Sequence, residues 1–254
     1  MTLLENALAR TPISTIEQLG LVHLTVARAL QGILKSEALI PSHCKVFDRK
    51  LVYLSYGLPY YRPRNQQTED SLLHPIALAF SPNLLGAMER FYPYDTGAAR
   101  AGLFGRKWTT FLNRFEELYV SDNPQRLVAL LYGSNSRYLR GEVASQSDLL
   151  MPPLERLTEF LAQNFSSRGV DQRQRTIECI SGAIVPVLKE LEWVAYPHTA
   201  TVAIAELWRA SSRKFRYESY VADVNDNPAA LVTLVRGLAR KALAHQSEAP
   251  HGAP

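Results

Sequence analysis

Residues 51–82 read LVYLSYGLPYYRPRNQQTEDSLLHPIALAFSP. The stretch opens on LVYLSYG (51–57), a run of β-formers closed by Gly57 and Pro59. It ends on HPIALAFSP (74–82), an apolar run bounded by prolines, the pattern of a strand buried on both faces. Between them, RPRNQQTEDS is polar and reads as an exposed link. Two strands thus follow one another without a regular helix between them. That argues for an α+β fold with a mixed or antiparallel sheet, and against a repeated βαβ unit.

Upstream, LVHLT (21–25) is a short strand candidate. Val26, Ala27, Leu30, Ile33 and Leu34 then form the apolar stripe of an amphipathic helix, and Pro41 and Ser42 open a loop. Residues 2–9 also read as helix. Downstream, three- and four-residue apolar spacing predicts helices over 106–119, 124–133 and 152–164. Strands return at RTIECIS (175–181) and LEWVAYP (191–197), followed by a helix near 200–211 and a strand near 214–221. NDNP (225–228) starts a last helix over 228–245, with Asn227 as cap and Pro228 in the first turn. The expected architecture is one α+β domain over 1–245. It has a split mixed or antiparallel sheet of short strands, a helical insert at about 100–170 and a C-terminal helix. QSEAPHGAP (246–254) has nothing to bury and is expected to be a disordered tail.

Composition narrows the function classes. The chain carries 28 Lys+Arg against 24 Asp+Glu, a net charge of +4. Such a mild basic bias permits an anionic partner without demanding one. Cys44 and Cys179 are the only cysteines, and their spacing argues against a zinc site or a disulfide framework. The six histidines (23, 43, 74, 198, 245 and 251) lack metal-ligand spacing, so no metal is expected. There is no signal-peptide pattern, and no run approaches the roughly 20 apolar residues of a membrane span. A soluble cytoplasmic protein without a membrane partner is expected. GxxxxGK[ST], GxGxxG, HExxH and GxSxG are all absent, which weighs against nucleotide hydrolases, zinc peptidases and serine hydrolases. GSNS (133–136) reads as a helix C-cap and turn.

Four features carry chemistry. FYPYDTGAA (91–99) contains an Asp-Thr-Gly, but one copy without long β-strand context reads as a turn in which Asp95 binds nearby backbone amides. LVYLSYGLPYYRPR (51–64) puts Leu51 and Tyr53 on one strand face and Leu54 and Tyr56 on the other. Its tyrosines, with Arg62 and Arg64, are either half-buried sheet residues or a platform for a planar ring beside a phosphate. In RTIECIS, Thr176, Glu178 and Ile180 share one face, and Ile177 and Cys179 the other. A glutamate there is either solvated or a carboxylate held for a purpose. His23 is either a satisfied core histidine or a ligand contact.

Taken in order, these segments resemble an ADP-ribosyltransferase fold, and most nearly the DarT kind of DNA ADP-ribosyltransferase toxin. The likeness lies in a first strand with His and Thr before a helix like ARALQGILKSEALIP, then LVYLSYGLPYY before PIALAFS, and late in the chain RTIECISGAIVPV. It touches about a third of the chain and leaves out residues 83–170, FYPYDTGAA and LLYGSNSRY included. The resemblance implies an NAD-dependent transferase (a glycosyltransferase of toxin or phage-defence type) modifying a macromolecule, with NAD as substrate and a nucleic acid or protein as acceptor. It implies Glu178 and Arg49 as catalytic residues. His23 and Thr25 would contact the NAD ribose and amide, and Tyr56 or Tyr61 would stack on nicotinamide. The alternatives are a non-catalytic binding or regulatory protein on a related scaffold, such as a partner in a defence system, and a nucleic-acid-acting enzyme.

Overall fold

The computed structural model describes residues 2–9, 16–60, 70–144, 152–163, 172–212, 214–223 and 226–248. Its first third runs α1 (Leu3–Leu8), β1 (Leu21–Val26), α2 (Ala27–Ser36), β2 (Ala38–Leu39), β3 (Ser42–Cys44), β4 (Arg49–Tyr56) and β5 (Pro75–Phe80). The middle holds β6 (Arg90–Tyr92), α3 (Thr96–Arg100), α4 (Arg106–Leu112), α5 (Gln125–Tyr132), α6 (Asn135–Arg140) and α7 (Pro152–Ala162). The last third adds β7 (Glu178–Ser181), β8 (Val185–Pro186), β9 (Leu191–Pro197), α8 (Thr201–Ala210), β10 (Arg216–Tyr220) and α9 (Pro228–Glu248). The fold is α+β with mixed strand directions and a C-terminal helix, as the strand-rich stretch 51–82 implies.

The chain forms two compact units, each discontinuous in sequence. The first comprises residues 1–19, 42–56 and 87–182, and the second 20–41, 57–86 and 183–254. The boundaries fall at Gly20, Pro41, Gly57, Gly86 and Gly182, residues that the sequence alone reads as ordinary turns and strand ends.

In the first unit the strands run β3-β4-β7-β6, all antiparallel. The register sets Tyr53 against Ile180, Ser55 against Glu178 on β4 and β7, and Tyr92 against Glu178 on β6 and β7. Cys44, Leu51, Tyr92, Phe115 and Ile180 pack on this face, with Phe47, Tyr53 and Tyr119 beside them. Helix α1 begins with a capping box: Thr2 Oγ1 accepts from the Glu5 amide at 3.1 Å, and Glu5 accepts from the Thr2 amide at 2.7 Å. The helix read over 106–119 is shorter than expected. Asn113 caps α4, and Phe115 and Leu118 enter the core from turns. At GSNS, Gly133 (φ 78°) closes α5 as expected, but Ser134 then caps a helix the sequence reading lacks, α6, by accepting from the Arg137 amide at 3.3 Å.

In the second unit β10 runs parallel to β9, β9 antiparallel to β5, and β5 antiparallel to β1, while β2 and β8 form a separate pair. The buried strand expected at 74–82 is there: Ile76, Ala77, Leu78 and Phe80 on β5 expose at most 1% of their surface. Gly20 lies so near this strand that a Cβ would sit 2.3 Å from the Phe80 carbonyl oxygen. Helix α9 runs to Glu248, three residues into the stretch read as a tail, and 249–254 lie outside the described residues.

Candidate functional site

Period two along β7 faces Glu178 away from Cys179, and pairing with β4 sets its neighbours. On its face stand Ser55 and Tyr53 of β4, Ile180 of its own strand and Tyr92 of β6. Glu178 is buried, with 8% of its surface exposed, which settles the open choice between a solvated and an enclosed strand glutamate.

Its partner is Thr96, the residue after Asp95 in the Asp-Thr-Gly loop. The Thr96 amide donates to Glu178 Oε2 at 3.2 Å, and the Thr96 hydroxyl donates to the same oxygen at 2.5 Å. Asp95 behaves as expected of a turn residue: its carboxylate accepts from the Ala98 amide at 2.7 Å and caps α3. The loop is anchored by the Asp95 amide donating to the Arg173 carbonyl at 3.0 Å, five residues before Glu178.

Burial pushes the Glu178 carboxyl well above its usual range, the Asp95 charge adds to the rise, and the two bonds from Thr96 pull the other way. The acid form is therefore favoured well above ordinary carboxyl pH values. The neighbouring phenols are shifted too. Burial raises Tyr92, which Arg90 partly offsets, and burial carries Tyr53 far up, reinforced by its bond to Cys44 Sγ.

Of the other expected site residues, Tyr56 and Arg49 lie away from Glu178 within the first unit, and His23 and Thr25 belong to the second. Tyr56 lies on the opposite face of β4 from Glu178, fully enclosed, with its hydroxyl accepting from the Leu19 amide at 2.9 Å. No nicotinamide can stack on a ring without exposed surface. Arg49 is six residues from Ser55 along β4, so register places it ~20 Å from Glu178. It pairs instead with Glu89 at 2.8 Å, whose other oxygen accepts from the Gly182 amide at 2.6 Å. His23 and Thr25 are half-buried and share one face of β1 in the second unit, opposite Leu78 and Ile76 of β5. Tyr60, of the same unit, is covered by the Arg236 guanidinium 4.4 Å from its ring. Tyr61, Arg62 and Arg64 lie outside the described residues. Tyr53 and Tyr56, on opposite faces of β4, therefore do not share one platform.

Sequence reasoning missed Thr96 and Tyr92 as neighbours of Glu178. The one available signal, the single Asp-Thr-Gly, reads correctly as a turn but gives no hint of a partner 82 residues away. Among the described residues, no three His, Cys, Asp or Glu side chains gather as a metal ion would need, and no helix is long and apolar enough to cross a membrane. No protein-family model matches the chain, and no curated protein is significantly similar to it.

Proposed function

We propose that the protein is an NAD-consuming ADP-ribosyltransferase of toxin or phage-defence type, acting in the cytoplasm on a macromolecular acceptor, with Glu178 as its essential carboxyl. The observation that carries this reading is a single buried glutamate on a strand, ringed by Thr96, Ser55, Tyr53 and Tyr92 and held by hydrogen bonds in one orientation. Carboxyls pushed out of their usual range cluster at functional sites, where a carboxyl is tuned to its task.

The chemistry suits the residue. When the nicotinamide–ribose bond breaks, its electron pair leaves with nicotinamide, and positive charge develops at the ribose anomeric carbon. A carboxylate beside the sugar stabilises that charge until a nucleophile adds to the carbon and gives up its proton. NAD brings a cationic pyridinium ring, and a nearby cation draws a raised carboxyl back toward ionisation. The resemblance gives the ribose and amide contacts to His23 and Thr25, which share one face of β1 in the second unit. Arg49 and Tyr56 have no part in this version of the site.

A second reading, a non-catalytic binding protein on this scaffold, is favoured by one observation: Glu178 already has an internal partner in Thr96. Incubation with NAD and measurement of released nicotinamide separates the two. Release by the wild type, with loss of at least ~100-fold in Glu178→Gln at unchanged circular dichroism, supports the transferase. NAD binding without turnover supports the second reading, and neither binding nor turnover refutes the NAD proposal.

A further inference from the structure

We infer that the Asp95–Thr96–Gly97 loop is a carboxyl clamp, in which Thr96 is a positioning residue that fixes which oxygen of Glu178 is presented to a ligand. Its catalytic consequence rests on the transferase reading above, whereas the clamp itself does not.

Each residue of the loop has a separate task. Asp95 holds the loop's shape: its amide donates to the Arg173 carbonyl at 3.0 Å and its carboxylate takes the Ala98 amide at 2.7 Å. Gly97 keeps that arrangement compact, since a Cβ there would sit 3.2 Å from Asp95 Oδ1. Capping is thus done by Asp95, and the Thr96 hydroxyl is directed at Glu178. Both Thr96 donors converge on Oε2. An oxygen that accepts two donors has its lone pairs engaged, so the proton of the acid form resides on Oε1. Oε1 is then the atom that gives a proton or, once ionised, faces a developing positive charge. The loop is fastened at the Arg173 carbonyl, five residues before Glu178, and again at Glu178 itself.

The test compares Thr96→Val, which removes the hydroxyl at nearly constant volume, with Thr96→Ser, which restores it. The first readout is a carbon-detected NMR titration of glutamate side-chain carboxyls, with the Glu178 signal assigned by its loss in Glu178→Gln. The second is the pH profile of nicotinamide release. A donor to the ionised form lowers a carboxyl's pKa, so its removal in Thr96→Val moves the Glu178 midpoint upward, while Thr96→Ser titrates like the wild type. The rising limb of kcat moves up by the same amount. kcat falls about tenfold at neutral pH, with KM little changed, as expected for one charge-assisted hydrogen bond. A structural role alone would lower stability and leave both profiles in place. If Thr96→Val does not fold, Thr96→Ala takes its place. A Glu178 midpoint unmoved in the folded variant overturns the clamp. A midpoint that moves in a protein releasing no nicotinamide establishes the clamp and refutes the transferase reading.

Discussion

Tyr138 is fully buried on α6, and its hydroxyl spans the two strands beneath Glu178. It donates to the Tyr56 carbonyl at 2.8 Å and accepts from the Ile177 amide at 3.1 Å. Its ring packs against Tyr132 and Tyr56, with centroids 5.0 and 6.1 Å away. Tyr138→Phe keeps the ring contacts and removes both bonds. The Ile177 amide is then left buried without an acceptor, and the Tyr56 carbonyl loses a donor. At about 1–1.5 kcal/mol for each buried group left unpaired, the cost is about 2–3 kcal/mol, or roughly 30- to 150-fold in the opening equilibrium of this unit. Filling the gap with water would relieve the cost, but a missing hydroxyl oxygen leaves too little room for a water. The direct assay is amide hydrogen exchange at Ile177, supported by urea unfolding of both proteins. An Ile177 exchange rate within threefold of wild type, together with a stability change under ~0.5 kcal/mol, would refute the bridging role. The Glu178 carboxyl is one residue from this amide, so its NMR signal is expected to move as well.

Glu178→Gln tests the carboxyl's protonation through stability. The folded-state pKa is raised above the usual 4.5, so the stability Glu178 contributes is complete below that value and is lost as pH rises toward the folded value. The melting temperature of the wild type relative to Glu178→Gln should therefore fall between pH 4 and pH 8, and a rising difference would contradict the assignment. Asp95→Ala removes the cap of α3, at a cost of about 1 kcal/mol in thermal or urea unfolding, and also removes the anion that helps hold Glu178 up, so the Glu178 midpoint should move down by NMR. In the second unit, Gly20→Ala drives a Cβ into the Phe80 carbonyl and disturbs the bond from the Gly57 amide to the Gly20 carbonyl (2.8 Å). A loss of about 1–3 kcal/mol in thermal unfolding is expected, and an unchanged melting temperature would mean the backbone there yields freely.

Much of the fold was legible because its longer elements carry a full period of pattern. LVYLSYG, PIALAFS and LEWVAYP are runs of apolar and β-branched residues long enough to name, and α2, α5 and α9 have apolar stripes of two turns or more. What escaped was short. β3 and β6 have three residues each, less than two periods of a strand, and α6 has six residues behind a Gly-Ser pair that also suits a turn. The overrun of α4 has a different cause. Phe115 and Leu118 continue the apolar spacing while the chain has already left the helix, because burial asks only where a side chain points.

The site was half legible for a reason that pairing makes plain. Alternation along β4 separates Tyr53 from Tyr56, and alternation along β7 separates Glu178 from Cys179, but neither strand says which face meets which. A slip of one residue in their register would have placed Tyr56 beside Glu178 and Tyr53 away from it. The observed pairing of Ser55 with Glu178 decides the matter. Of the aromatic rings on the paired strands β4 and β6, those on the face of this carboxyl nearest to it are Tyr53 and Tyr92. Both hydroxyls already have partners: Tyr53 donates to Cys44 Sγ, and Tyr92 is approached by Arg90 at 3.5 Å. These phenols are thereby held in place with their titration pushed up, so the raised Glu178 carboxyl, and not a phenol, is the acid of this face.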